Sequence, residues 1–108
     1  MSNYRNRRLL DLAHRVHECQ HCGRYATEGC EPAHQNGIEA GKGQGIKSHD
    51  NRHAALCHAC HAWYDSGSGR SPCGDWSSDR AQKAAMWMRA HLRTFTLYWT
   101  EGWIEVAK

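Results

Sequence analysis

Two Cys-x-x-Cys pairs, Cys19–Cys22 and Cys57–Cys60, limit most strongly what this chain can fold into. A short turn brings two sulfurs to one edge of a tetrahedron, so two such pairs supply the four thiolates of a closed structural zinc site. The need for such a clamp follows from size. The chain has 108 residues, 40% of them hydrophobic, and a mean hydropathy of -0.83, which leaves a thin core. Domains of this kind gain their stability from metals or disulfides. The N-terminal MSNYRNRRLLDLAHRVHE is polar and basic, with no apolar stretch of a secretory signal, so a reducing, cytoplasmic setting is expected. There, thiols bind metals more readily than they form bridges. Three disulfides are the alternative if a leader has been removed. No run approaches the ~18 apolar residues that cross a bilayer, so no membrane partner is expected. Net charge is +3, which permits a polyanionic partner without requiring one.

The pairs are 34 residues apart, longer than a zinc-ribbon gap, so a sizeable insertion sits between the halves of the clamp. Cys30 and Cys73 have no Cys-x-x-Cys partner. Cys30 could replace Cys22 as a ligand, and Cys73 reads as a plain loop thiol. Neither pair is set in the βαβ pattern of a thioredoxin-like oxidoreductase.

Residues 1–108 read as one domain. Residues 5 to 17 carry Leu9, Leu12, Ala13 and Val16 at helical spacing. Residues 36 to 48 hold four glycines and two lysines, and 66 to 74 read as a second loop. Between them, 51 to 65 has a helical pattern in Ala54, Ala55, Leu56, Ala59 and Trp63. Ser77 or Ser78 is the expected cap of a longer helix. Its apolar face is Ala81, Ala85, Met88, Leu92, Phe95 and Trp99, and Gly102 ends it. This aromatic-rich end reads as core or as the surface of a homodimer. On a helix, Cys57 and Cys60 share a face. His61 sits about 100° further round, so it points away from a thiolate-bound metal, with His58, toward the inserted segment.

A CxxCG knuckle, a histidine at a strand end, a loop and a helix opening on LCxxCH together resemble the zinc-containing HNH (ββα-metal) nucleases. EPAHQNG, GKGQGIKSHD, HAALCHACH and LYWTEGWIEVA are further similar to small phage and prophage nucleases of the YbcO-like kind, over about residues 5 to 107. The resemblance implies a small, zinc-stabilised α+β fold. Its ββα-metal core, a β-hairpin plus helix, is flanked by an N-terminal helix and a longer C-terminal one. It implies His34 as general base, His61 as ligand of a catalytic metal, and Asn51, or Asp50 beside it, as the residue fixing the loop that faces the base. Two positions depart from the pattern. Ala33 stands where many HNH enzymes carry an acidic ligand, and Asn51 lies six residues before Cys57, one more than usual. The second ligand is therefore open among Glu31, His49, Asp50, His53 and Asp65.

The implied chemistry suits these residue types. A neutral histidine can take a proton from water, and Mg2+, Mn2+, Zn2+ or Ni2+ held by His61 can stabilise charge on phosphate. Gly41, Gly43 and Gly45 allow close backbone approach to a phosphate, and Lys42 and Lys47 supply charge. Arg5, Arg7 and Arg8 form a second basic group. The expected function is a metal-dependent DNA endonuclease, phage or prophage encoded and acting in the bacterial cytoplasm. The alternative is a non-catalytic zinc module that binds nucleic acid or a phage replication or recombination partner.

Overall fold

The computed structural model describes residues 4–36, 49–73 and 76–105. Two antiparallel strands, β1 (Glu31–His34) and β2 (His53–Leu56), form a hairpin with Glu31 opposite Leu56 and His34 opposite His53. Before it come α1 (Arg7–Asp11) and a 3-10 turn over Leu12–Arg15; after it come α2 (His58–Ser66) and α3 (Arg80–Thr100). The architecture is a small α+β one, hairpin and helices together.

Both faces of the hairpin are covered. Strand alternation sends Ala33, Ala54 and Leu56 toward Cys60, Trp63 and Tyr64 of α2 and Met86, Trp87 and Ala90 of α3. The other face presents Ala55, which packs with Cys30, Ala13, Val16 and Tyr98. All four β2 residues are buried as a result. Side chains of α3 also satisfy backbone groups of the strands. Ala55 N–H donates to Thr94 Oγ1 at 3.0 Å, His91 Nδ1 donates to His53 O at 2.8 Å and Trp87 Nε1 donates to Ala33 O at 2.8 Å. A covered sheet edge offers no template for pairing with another chain.

Three expectations need correction. Residues 51 to 65 are not one helix: the run of apolar residues splits into β2 and α2, with Cys57 the extended N-cap between them. Ala54, Ala55 and Leu56 are good helix formers, but a short apolar run fits a buried strand equally well, and pairing with β1 decides it. The cap of α3 is Asp79, whose Oδ1 accepts from Ala81 N–H at 2.7 Å, rather than Ser77 or Ser78. The buried side of α3 is Met86, Trp87, Ala90, Thr94 and Tyr98, whereas Met88, Leu92 and Trp99 are exposed. The end of α3 is as expected: Gly102, at φ 73°, lets Trp103 N–H return to Tyr98 O at 2.9 Å. No described helix is long and apolar enough to cross a membrane.

Candidate metal centre

The knuckle at Cys19–Cys22 is built by its backbone. Cys19 N–H donates to Arg24 O at 3.0 Å, Gly23 N–H donates to Cys19 O at 2.9 Å, and Gly23 takes φ 75°, which favours glycine. Cys22 N–H lies 3.5 Å from the Cys19 sulfur. The opposing pair straddles the start of α2, Cys57 as N-cap and Cys60 in the first turn. These four sulfurs lie within 4.8 Å of one another, with Cys22 and Cys57 3.9 Å apart. Tetrahedral zinc with bonds of about 2.3 Å requires sulfurs about 3.8 Å apart, so this donor set could hold a structural zinc. Among the described residues, it is the one group of three or more metal-binding side chains that converges in this way.

The sulfurs also perturb one another's acidity. A hydrogen bond from Cys60 pulls Cys19 down to about 4, and the same bond pushes Cys60 up. Burial raises Cys22 to about 11. A divalent cation bound by the four would displace their protons. Cys30 does not compete with Cys22: it is fully buried in the other cluster, and burial pushes its thiol to about 12. Cys73 is more than a plain loop thiol, since its sulfur lies 3.2 Å from both His21 Nε2 and Ser71 Oγ.

His34 ends β1 with its Nε2 3.0 Å from Asp50 Oδ1. Asp50 is itself buried and tied down: Asn6 N–H donates to Oδ2 at 2.6 Å and Arg5 reaches Oδ1 at 3.2 Å. Burial pushes the Asp50 carboxyl upward, but hydrogen bonds from His34 and Asn6 outweigh it and the net shift is downward. Of Asp50 and Asn51, it is Asp50 that bonds to His34. Asn51 is exposed in the turn before β2, beside a cavity of about 370 Å3 that Tyr4, His49 and Arg52 also line. His49 Nδ1 accepts from Tyr4 N–H at 2.8 Å.

His61 belongs to a separate group. Its Nδ1 is 2.7 Å from Glu31 Oε1 and its Nε2 is 3.1 Å from Asp65 Oδ2, while His58 Nδ1 is 3.0 Å from Glu31 Oε2. The Asp65 hydrogen bond, together with Glu31, raises the pKa of His61 despite its partial burial. Glu31 is pushed up by burial and down, more strongly, by His61 and His58. Glu31 and His34 stand three residues apart on one strand, so alternation turns them to opposite faces. Among the described residues, no hydrogen bond joins the His34–Asp50 pair to the His61 group. The three donors around His61 also do not converge: one carboxylate sits at each ring nitrogen.

Of the other candidate ligands, His53 is fully buried and both its nitrogens are used, Nδ1 with Asp50 O at 2.7 Å and Nε2 with Tyr98 OH at 2.9 Å. Nothing in the spacing of the sequence showed that His53 pairs with α3. Ala33 is fully buried against the α2–α3 cluster, which gives a packing reason for the missing carboxylate. Arg7 and Arg8 are exposed on α1. Gly41, Lys42, Gly43, Gly45 and Lys47 lie outside the described residues. No family model matches this chain, and no curated protein or solved structure matches it.

Proposed function

We propose that the protein hydrolyses DNA phosphodiester bonds as a small HNH-type endonuclease held together by zinc at Cys19, Cys22, Cys57 and Cys60. The observation that carries this reading is the His34–Asp50 pair. A carboxylate on Nε2 selects the tautomer protonated there and leaves Nδ1 with its lone pair. His34 Nδ1 then accepts a proton from water as the water oxygen bonds to phosphorus and the P–O bond to the leaving oxygen breaks. Asp50 stabilises the imidazolium so formed, and Arg5 and the Asn6 amide keep Asp50 ionised and in place. Lys42, Lys47 and Gly43 are the residues assigned to the DNA backbone.

A divalent ion, Mg2+, Mn2+, Zn2+ or Ni2+, belongs to the same reading, with His61 as its protein ligand; when bound, it would neutralise charge on the phosphate. His61 would have to give up Glu31 or Asp65 to accept it. That double engagement favours a second reading, in which the protein is a zinc module that binds nucleic acid or a phage replication or recombination partner without cutting.

Plasmid nicking with added Mn2+ or Mg2+ tests both. His34→Ala is expected to keep its zinc and its melting curve while cleaving at least ~100-fold more slowly, the usual contribution of a general base. Equal activity in the variant removes His34 from the mechanism. A wild-type protein that binds DNA and never nicks it establishes the second reading instead.

A further inference from the structure

One apolar face of α3 is buried against the hairpin, and a second faces solvent. Ala81, Ala85, Met88, Leu92 and Trp99 are exposed, the last three at 44%, 59% and 54%, and Phe95 at the edge of this face is half-buried against His53 and Tyr98. The spacing of these six is 4, 3, 4, 3, 4, an unbroken heptad seam over five turns. Scattered exposed apolar residues need no account, but a continuous line of them marks an interface. A heptad seam has a specific complement, which is another helix with the same repeat.

We propose that this seam is a homodimer interface, in which the α3 helices of two copies pack antiparallel. The sequence of the seam is complementary to its own reverse. About a two-fold axis that crosses the seam between Met88 and Leu92, Ala81 meets Trp99 of the other copy, Ala85 meets its Phe95, and Met88 meets its Leu92. Each layer sets a smaller side chain against a larger one or two of similar size, so the helices can close evenly along their length. In a parallel pair, Trp99 would meet Trp99 at one end and Ala81 would meet Ala81 at the other. That arrangement crowds one end and leaves the other open. A two-fold interface of this kind uses the same patch on both copies and closes on itself.

The area suits a weak assembly. From Ala81 to Trp99 the seam is about 27 Å long and the helix about 10 Å wide. Half the circumference of such a cylinder is about 16 Å, so burying that strip removes on the order of 400 Å2 per copy, just under the ~1,000 Å2 total of a stable specific interface and in keeping with a weak dimer. Arg89 stands on the flank nearest the axis and would face its counterpart in the other copy, a like-charge pair that weakens association. The inference does not rest on the nuclease reading.

Sedimentation of the zinc-loaded full chain over a concentration series tests it. The wild type is expected to pass from monomer to dimer in the micromolar range. Leu92→Glu is expected to weaken association at least ~100-fold, because it places a charge in the central layer. Leu92 is exposed in the monomer, so zinc content and the melting curve of dilute protein should not change. A wild type that stays monomeric at millimolar concentration, or dimers indifferent to Leu92→Glu, overturns the proposal. Orientation is read by mixing wild-type and Arg89→Glu chains in native mass spectrometry. The antiparallel pair sets opposite charges together only in the mixed dimer, so mixed dimers should exceed the statistical half. A statistical mixture overturns the antiparallel arrangement.

Discussion

Cys60 and His61 are neighbours on α2, yet they belong to unlike surroundings. Cys60 is fully buried with three other sulfurs pointed at one centre, whereas the His61 side chain keeps 25% of its surface exposed and is held by a carboxylate at each nitrogen. The 100° between consecutive helical residues accomplishes this separation. The four sulfurs form a closed set; the histidine and carboxylates form an open, half-solvated network that satisfies itself. A closed set could hold a metal at one centre, while an open one leaves its side chains able to exchange partners.

The sharpest way to break that contrast is to remove one member from each side. Cys60→Ser should lose zinc and melt early or aggregate, since apparent metal-binding energies of roughly 10 kcal/mol are coupled to folding in small zinc domains. His61→Ala should keep one tightly held zinc and a near-normal melting curve, because half-exposed ion pairs contribute less than about 1 kcal/mol. Native mass spectrometry for zinc, beside thermal melts, reads both. Loss of the tight zinc from His61→Ala would merge the two sites into one.

Ala33→Asp probes the departure from the HNH pattern. Ala33 packs within the α2–α3 cluster and is fully buried, so a carboxylate there is expected to cost at least ~3 kcal/mol. Urea unfolding measures this. A variant as stable as the wild type would show that position 33 is not committed to the core, and a gain in nicking activity would support the proposed nuclease reading.

His53 extends the comparison to pH. Its pKa is lowered to about 4 by burial, chiefly, against the opposing hydrogen bond to Asp50 O. With an unfolded value near 6.5, the unfolded chain binds more protons between those limits. Stability therefore rises with pH across the window and is lost as pH falls from about 6.5 toward 4. One proton gives a slope of up to about 1.4 kcal/mol per pH unit. His53→Gln should flatten urea-derived stability over pH 4.5 to 6.5 relative to wild type. Identical slopes would mean that His53 is not buried neutral.

The parts of this protein legible from sequence are those set by short-range geometry. Cys19, Cys22, Cys57 and Cys60 could be read as one centre because Cys-x-x-Cys spacing constrains sulfurs through only two intervening residues. Gly102 could be read as the end of α3 because a positive φ is a local demand. Asp50 and Asn51 stood side by side in the sequence, and only the fold shows that Asp50 is the one bonded to His34.

Three features required the tertiary structure. The run from His53 to Leu56 became a strand because β1 was there to pair with it, a partner some twenty residues away that no local window contains. Heptad spacing identified a seam on α3 but not its direction. The hairpin is bound by Met86, Trp87, Ala90, Thr94 and Tyr98, where Thr94 and Tyr98 hydrogen-bond as well as pack, leaving the more regular apolar stripe outside. The resemblance also implied His34 and His61 for one chemistry, and strand alternation turned His34 and Glu31, the partner of His61, to different sides of the hairpin. Side-chain type and spacing determine which groups can act together; which of them meet depends on strand pairing and on which helix face the core takes.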